Sequence, residues 1–299
     1  MAPDSDRSVV SASTAPVLRE SARPAHLVLF FVFSYALMWA CFWYVAAARI
    51  PADSAAGGAL LLLGTFAPCL FAMLLTGLAQ GGTGVRRLLT PVIRWRVAAK
   101  FYVFALVYIA AIKLSAALIY RVVTGTSPRF GHEGPVVILV AVIVSTPFQF
   151  GEEVGWRGYA LPRLAKRMGL ARASLLLGLI WGVWHLPQFF VPGADTYRQS
   201  FPLFVLQVIA LSVAIAWLWD RTGHSLLLPM LLHSAVNNTK DIVPSPVLGG
   251  TPTFGLHGSF IGWTTVTLLW VCAAYFLFRM SNAQQSVSSG GKVGEVMSG

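Results

Sequence analysis

GPVVILVAVIVSTPFQFGEEVGWRGYALPRL, residues 134–164, opens as an apolar run and ends on two adjacent carboxylates, Glu152 and Glu153. The whole chain has only 11 acidic residues in 299, and no other two are adjacent. A helix rises 1.5 Å per residue, so about 20 apolar residues cross a bilayer. The run from Gly134 is of that kind, and it has company. Apolar blocks occupy 27–48, 57–79, 101–123, 134–155, 173–191, 201–219, 225–239 and 258–279. With 56% hydrophobic and 11% charged residues and a mean hydropathy of +0.69, the chain is too apolar for an ordinary soluble domain. The expectation is an all-α fold: a polytopic membrane helix bundle of about eight transmembrane helices.

The flanks differ in composition. Residues 1–25 are rich in Ser, Ala and Pro and read as a disordered tail, and 281–299, SNAQQSVSSGGKVGEVMSG, reads the same way. Between them, 26–280 reads as one membrane domain with its motifs in 150–240. The first span has no evident cleavage site before Arg49, which points to a retained anchor rather than a signal peptide. Cys41, Cys69 and Cys272 all fall in apolar spans without paired spacing, as small buried hydrophobes do.

A net charge of +11 raises the question of nucleic acid, and its distribution answers it. With the N-terminus in the cytoplasm, 16 Lys and Arg fall on the cytoplasmic side and 5 outside (Arg49, Arg121, Arg129, Arg198, Lys240), leaving Lys113 within a span. That is a positive-inside pattern with both termini cytoplasmic. The basicity is topological, the natural partner is the anionic surface of a lipid bilayer, and no nucleic acid is implied. A multi-pass protein of the plasma membrane is expected.

Ionisable groups at membrane depth are costly and mark function. On a helix, Glu153 and Arg157 are four apart and share a face, whereas Glu152 is turned about 100° away. Glu153 can therefore be neutralised by Arg157 while Glu152 stays unpaired and available as a general base. An ion-pair cluster at the interface is the structural alternative. His185 sits within LGLIWGVWHLPQFF, four residues after Trp181, whose ring can wall off the imidazole; Pro187 cannot donate to the carbonyl of Val183. A packing histidine fits that stretch too. His233 and Asn237 are four apart in LLLPMLLHSAVNNTK and could hold a developing oxyanion or serve as interhelical glue. Counting from the helix ends, Glu152, His185 and His233 come at similar depths, which favours one polar cavity opening to the cytoplasm. Asn238, beside Asn237, is expected to point elsewhere, and His26, His132, His224 and His257 to be interfacial. The basic 80–100 loop, with Trp95, should lie at headgroup level.

These residues form three ordered motifs: Glu152-Glu153-Val-Gly-Trp-Arg157, Trp181-Gly-Val-Trp-His185 and His233-Ser-Ala-Val-Asn237. Together they resemble the CPBP family, which includes the type II CAAX prenyl endopeptidases and the Abi-type bacterial proteins. One departure is Trp181, where the family usually has Phe, so an aromatic wall is kept. The resemblance implies an intramembrane glutamate protease acting near the cytoplasmic side on a peptide or membrane-protein substrate. In that reading Glu152 and His185 activate water, His233 and Asn237 stabilise the oxyanion, and Glu153, Arg157 and Trp181 support the site. No metal or other cofactor is expected: two His and a Glu can bind zinc, but there is no H-E-x-x-H, and the ligands would come from three helices. Two other classes stay in view. A non-catalytic Abi-type immunity protein would act by binding, and a proton-coupled carrier would use Glu152 and His185 as a relay. Few ionisable groups at the outer span ends argue against the carrier.

Overall fold

The computed structural model describes residues 24–239, 242–244 and 252–296, with side chains between 25 and 282. The expected N-terminal tail lies almost entirely outside the described residues, as does Lys240. Every regular element among the described residues is helical. In chain order they are α1 (Pro24–Ala47), α2 (Ala55–Thr65), α3 (Ala67–Leu89), α4 (Ala99–Thr124), α5 (Pro135–Ser145) and α6 (Phe150–Glu153). There follow α7 (Leu161–Met168), α8 (Leu170–Trp184), α9 (Phe201–Arg221), α10 (Leu227–Thr239) and α11 (Phe260–Val296). Among the described residues, seven helical stretches are long and apolar enough to cross a membrane: Ala25–Ala47, Ala67–Ile93, Ala99–Thr124, Pro135–Met168, Leu170–Phe190, Phe201–Arg221 and Phe260–Asn282. The last helix continues to Val296, past the point where the sequence turns polar.

The eighth apolar block, 225–239, becomes α10, which has 13 residues. At 1.5 Å per residue that is about 20 Å, too short to span the hydrocarbon core. It is instead enclosed by α4, α5 and α9, with Leu228 to Ala235 all buried. Its start is fixed at one end of the bundle, where Leu226 N–H donates to the Pro91 carbonyl (2.9 Å) and Ser225 Oγ to the Arg94 carbonyl (2.8 Å). Arg94 Nη1 in turn donates to the Gly223 carbonyl. This end carries the basic 90–98 loop. The 26 residues of α4 (about 39 Å) separate it from the other end, where 125–134, 191–200 and 252–259 meet. Phe201 N–H to the Thr253 carbonyl (2.8 Å) and Ser200 Oγ to the Gly255 carbonyl (2.7 Å) tie those loops together.

The membrane stretch 135–168 is not a uniform helix. Thr146–Gln149 is 3-10, starting at Thr146–Pro147, and Val154–Ala160 is a π-helix in which Leu161 N–H reaches back five residues to the Trp156 carbonyl. Such π turns recur at functional sites because they re-aim side chains within a helix. On one side α5 faces lipid, with Val136, Val140, Ile143, Val144 and Phe148 exposed. On the other side Gly151 and Gly155 receive the start of α3. A Cβ on Gly155 would stand 2.4 Å from Pro68 Cβ and 2.6 Å from its carbonyl carbon; one on Gly151 would stand 2.7 Å from the Phe66 ring. The same small-residue logic holds α8 to α9, where Gly178 meets the Ile209 backbone and Ser212 Oγ donates to the Ser174 carbonyl (2.9 Å).

Gly155→Ala should therefore cost about 1–3 kcal/mol through overpacking against backbone. Gly82→Ala on α3, where a Cβ meets nothing within 4 Å, should cost nothing. Melting of the two variants in detergent, read by size-exclusion fluorescence, checks the contrast: Gly155→Ala lowers Tm and Gly82→Ala leaves it level or raised.

Candidate active site

Glu153 and Arg157 are both fully buried, and Arg157 Nη1 donates to Glu153 Oε1 at 2.9 Å. The same oxygen receives His233 Nδ1 at 2.8 Å. One carboxylate oxygen thus links the π segment to α10 over a sequence gap of 80 residues. Among the described residues the second Glu153 oxygen and the Arg157 Nε and Nη2 have no hydrogen-bond partner, and the guanidinium carbon lies 4.4 Å from the Trp181 ring centroid. That ring face offers partial compensation by cation–π attraction.

Glu152 has a different environment. It is 6% exposed and, among the described residues, faces no cation within ion-pair distance. Its Oε2 accepts two indole N–H groups, from Trp181 at 2.6 Å and from Trp156 at 3.3 Å. His185, at the end of α8, places Nδ1 2.7 Å from the Trp181 carbonyl. A carbonyl only accepts, so Nδ1 carries the proton, and in the neutral ring Nε2 keeps its lone pair. The ring is held edge-on by Trp181 (5.7 Å between centroids), Trp184 (4.9 Å) and Phe204 (5.3 Å). Trp181 also packs edge-on to His233 at 5.1 Å. The helix stops here: α8 ends at Trp184 and Leu186–Phe190 is 3-10, with Pro187 near its start.

Six of the seven residues singled out by sequence (Glu152, Glu153, Arg157, Trp181, His185 and His233) therefore share one buried cluster. Asn237, the seventh, lies one turn further along α10 and is exposed, with Nδ2 3.4 Å from Gln149 Oε1. It lines a cavity of about 510 Å³, together with Gln149 and Ser145 from the 135–168 stretch and with Glu133 and Asp195 at the loop end. The cavity's floor is one turn short of Glu152 and His233 along their helices. Asn238 faces the same cavity, contrary to the expectation that it points elsewhere. Its Nδ2 donates to Ser145 Oγ (2.7 Å) and the Ser234 carbonyl (2.8 Å).

The cavity opens at the end where 125–134 and 191–200 meet, a full length of α4 from the basic 90–98 loop. Two expectations thus conflict: basic loops in the cytoplasm, and a cavity open to the cytoplasm. Glu152 itself lies near the middle of Pro135–Met168. Sequence reading also missed Trp156, although it stands four residues after Glu152 and so on its face, and Gln149.

The fold and this cluster define a multi-pass helical membrane protein with a buried Glu/His centre. The family model of Rce1-like type II CAAX prenyl endopeptidases matches residues 132–239, which contain all three motifs. Over 114 residues the chain is 30% identical to CAAX prenyl protease 2 of Methanococcus maripaludis, an alignment covering 36% of this chain and 41% of that protein. The chain is thus matched over less than half of that relative's length. The segment that carries the three motifs is thus similar to the type II CAAX prenyl endopeptidases.

Removing one partner of a buried pair strands the other charge, at a cost of about 3–5 kcal/mol. Arg157→Ala still leaves Glu153 the imidazole of His233, whereas Glu153→Ala leaves Arg157 no carboxylate at hydrogen-bond distance. Glu153→Ala should accordingly lower Tm and folded yield in detergent more than Arg157→Ala does.

Proposed function

We propose that the chain is an intramembrane endopeptidase that hydrolyses a peptide bond with a Glu- and His-activated water. The observation that carries this reading is the contrast between neighbouring carboxylates: Glu153 is neutralised by Arg157 and His233, while Glu152 is held only by neutral N–H donors. A carboxylate so held keeps the capacity to take a proton.

In the proposed reaction Glu152, with the Nε2 lone pair of His185, accepts a proton from water as its oxygen adds to the scissile carbonyl. The tetrahedral oxyanion is met by Asn237 Nδ2–H and by His233. With Nδ1 committed to Glu153, His233 offers a second N–H at Nε2 when it is the imidazolium. The proton held by the Glu152/His185 pair passes to the leaving amine as the C–N bond breaks, and the carboxylate and neutral imidazole are restored. Glu153 and Arg157 hold His233 in place and touch no reacting atom. The relative's name makes a prenylated CAAX peptide the first substrate to try, alongside unmodified peptides.

Peptide cleavage by purified protein in detergent tests the reading. Glu152→Gln should lower the rate by about 10²–10⁴-fold, the usual share of a general base, while expression and Tm stay near wild type. Cleavage should survive EDTA and phenanthroline. Equal rates in wild type and Glu152→Gln would end the proposal.

The side of the membrane is open to a direct test. Basic loops in the cytoplasm would put the cavity mouth on the opposite side, whereas cleavage near the cytoplasmic face needs the mouth in the cytoplasm. After replacement of Cys41, Cys69 and Cys272, a cysteine at Glu133 should react with an impermeant maleimide in intact cells and one at Arg94 should not. The reverse pattern would place the mouth in the cytoplasm.

A further inference from the structure

We propose that Trp181 and Trp156 are positioning residues for the base carboxylate, acting through their indole N–H groups. This rests on Glu152 being the base. Both indoles converge on a single atom, Glu152 Oε2, at 2.6 and 3.3 Å. Two donors on one oxygen fix the plane of the carboxylate and turn Oε1 to the remaining direction, where a water must be met. An indole donates without accepting and carries no charge. It therefore holds an anion without the neutralisation that Arg157 brings to Glu153, and leaves it able to take a proton.

Neither indole is free to swing. Trp156 is fully buried, edge-on to Phe30 and Trp184 at 5.6 Å each, and stacked with Phe31 at 6.4 Å. Trp181 is 3% exposed, with the Arg157 guanidinium on its face. Trp181 also sets the second member of the catalytic pair, since its own carbonyl accepts His185 Nδ1–H. One residue thereby aligns Glu152 through its side chain and His185 through its main chain. A phenyl ring at 181 would keep an aromatic wall and the carbonyl and remove the donor to Glu152, while setting a smaller ring against Arg157 and His233.

Trp181→Phe isolates that donor. In the detergent assay with a farnesylated CAAX peptide, kcat should fall roughly 10- to 100-fold, the penalty of a misaimed catalytic group. KM should stay within about twofold, because the ring remains and the substrate is still bound. Trp156→Phe, with the longer contact, should lose less kcat with the same unchanged KM, and it carries the test if the Trp181 variant does not fold. Trp270→Phe is the control: it also loses a half-buried indole N–H, to the Leu206 carbonyl at 3.1 Å, but far from the carboxylate. It should keep wild-type kcat. Glu152-dependent cleavage with wild-type kcat in the folded Trp181→Phe or Trp156→Phe protein overturns the positioning role alone, as does an equal loss of kcat in Trp270→Phe. Cleavage that survives Glu152→Gln overturns the protease reading, and this inference with it.

Discussion

A carboxylate and a guanidinium, both removed from water, sit at the centre of this bundle, and Glu153–Arg157 constrains much around it. Taking two charges into low dielectric is expensive, and their mutual attraction offsets the cost only when the geometry is close. Here the geometry is set by a single turn of π-helix and is shared with His233 of α10. The leftover donors of Arg157 lie on the Trp181 face, so α8 is drawn to the same point. Three chain segments far apart in sequence are thus registered against one charge pair. A hydrophobic replacement could pack as well, but it would not hold an imidazole by its Nδ1.

That registration depends on residues with no polar chemistry. Gly151 and Gly155 let Phe66 and Pro68 press against the stretch that carries the carboxylates, leaving no room for a Cβ. Between α8 and α9, Gly178 does the same for the helix that ends at His185. In a bilayer, lipid tails are as apolar as Leu, so close backbone approach and buried hydrogen bonds replace the hydrophobic effect as the source of helix association. The site's precision is inherited from glycines on the opposite sides of its helices.

Sequence periodicity was enough to separate Glu152 from Glu153, because a four-residue spacing to Arg157 is a local property of a helix. It was also enough to make the bundle all-helical, whereas His185 and His233 stood out as ionisable side chains inside apolar runs. The bond between His233 and Glu153 was not legible, since it depends on how α10 registers against a distant π turn. Nor was the length of α10: its apolar run continues the pattern of the spans, and only the packing shows that it is enclosed by its neighbours. Asn238 was misplaced for a related reason. A helical wheel turns it away from Asn237, but at the last turn of a short helix both line the same cavity. The Lys and Arg tally separates basic loops from neutral ones, but it carries no information about which end of the bundle is hollow.

The shortness of α10 has a consequence for the solvent. A helix of about 20 Å falls roughly 10 Å short of a hydrocarbon core of about 30 Å, and the cavity lies beside its last turn. Ser145, Gln149, Asn237 and Asn238 surround that space with amide and hydroxyl groups. Hydrolysis consumes one water per bond cut, and a membrane interior supplies none. The cavity beside the short helix ends one turn from Glu152, so the apolar stretch that a water would have to cross to reach the carboxylate is shortened from within the protein.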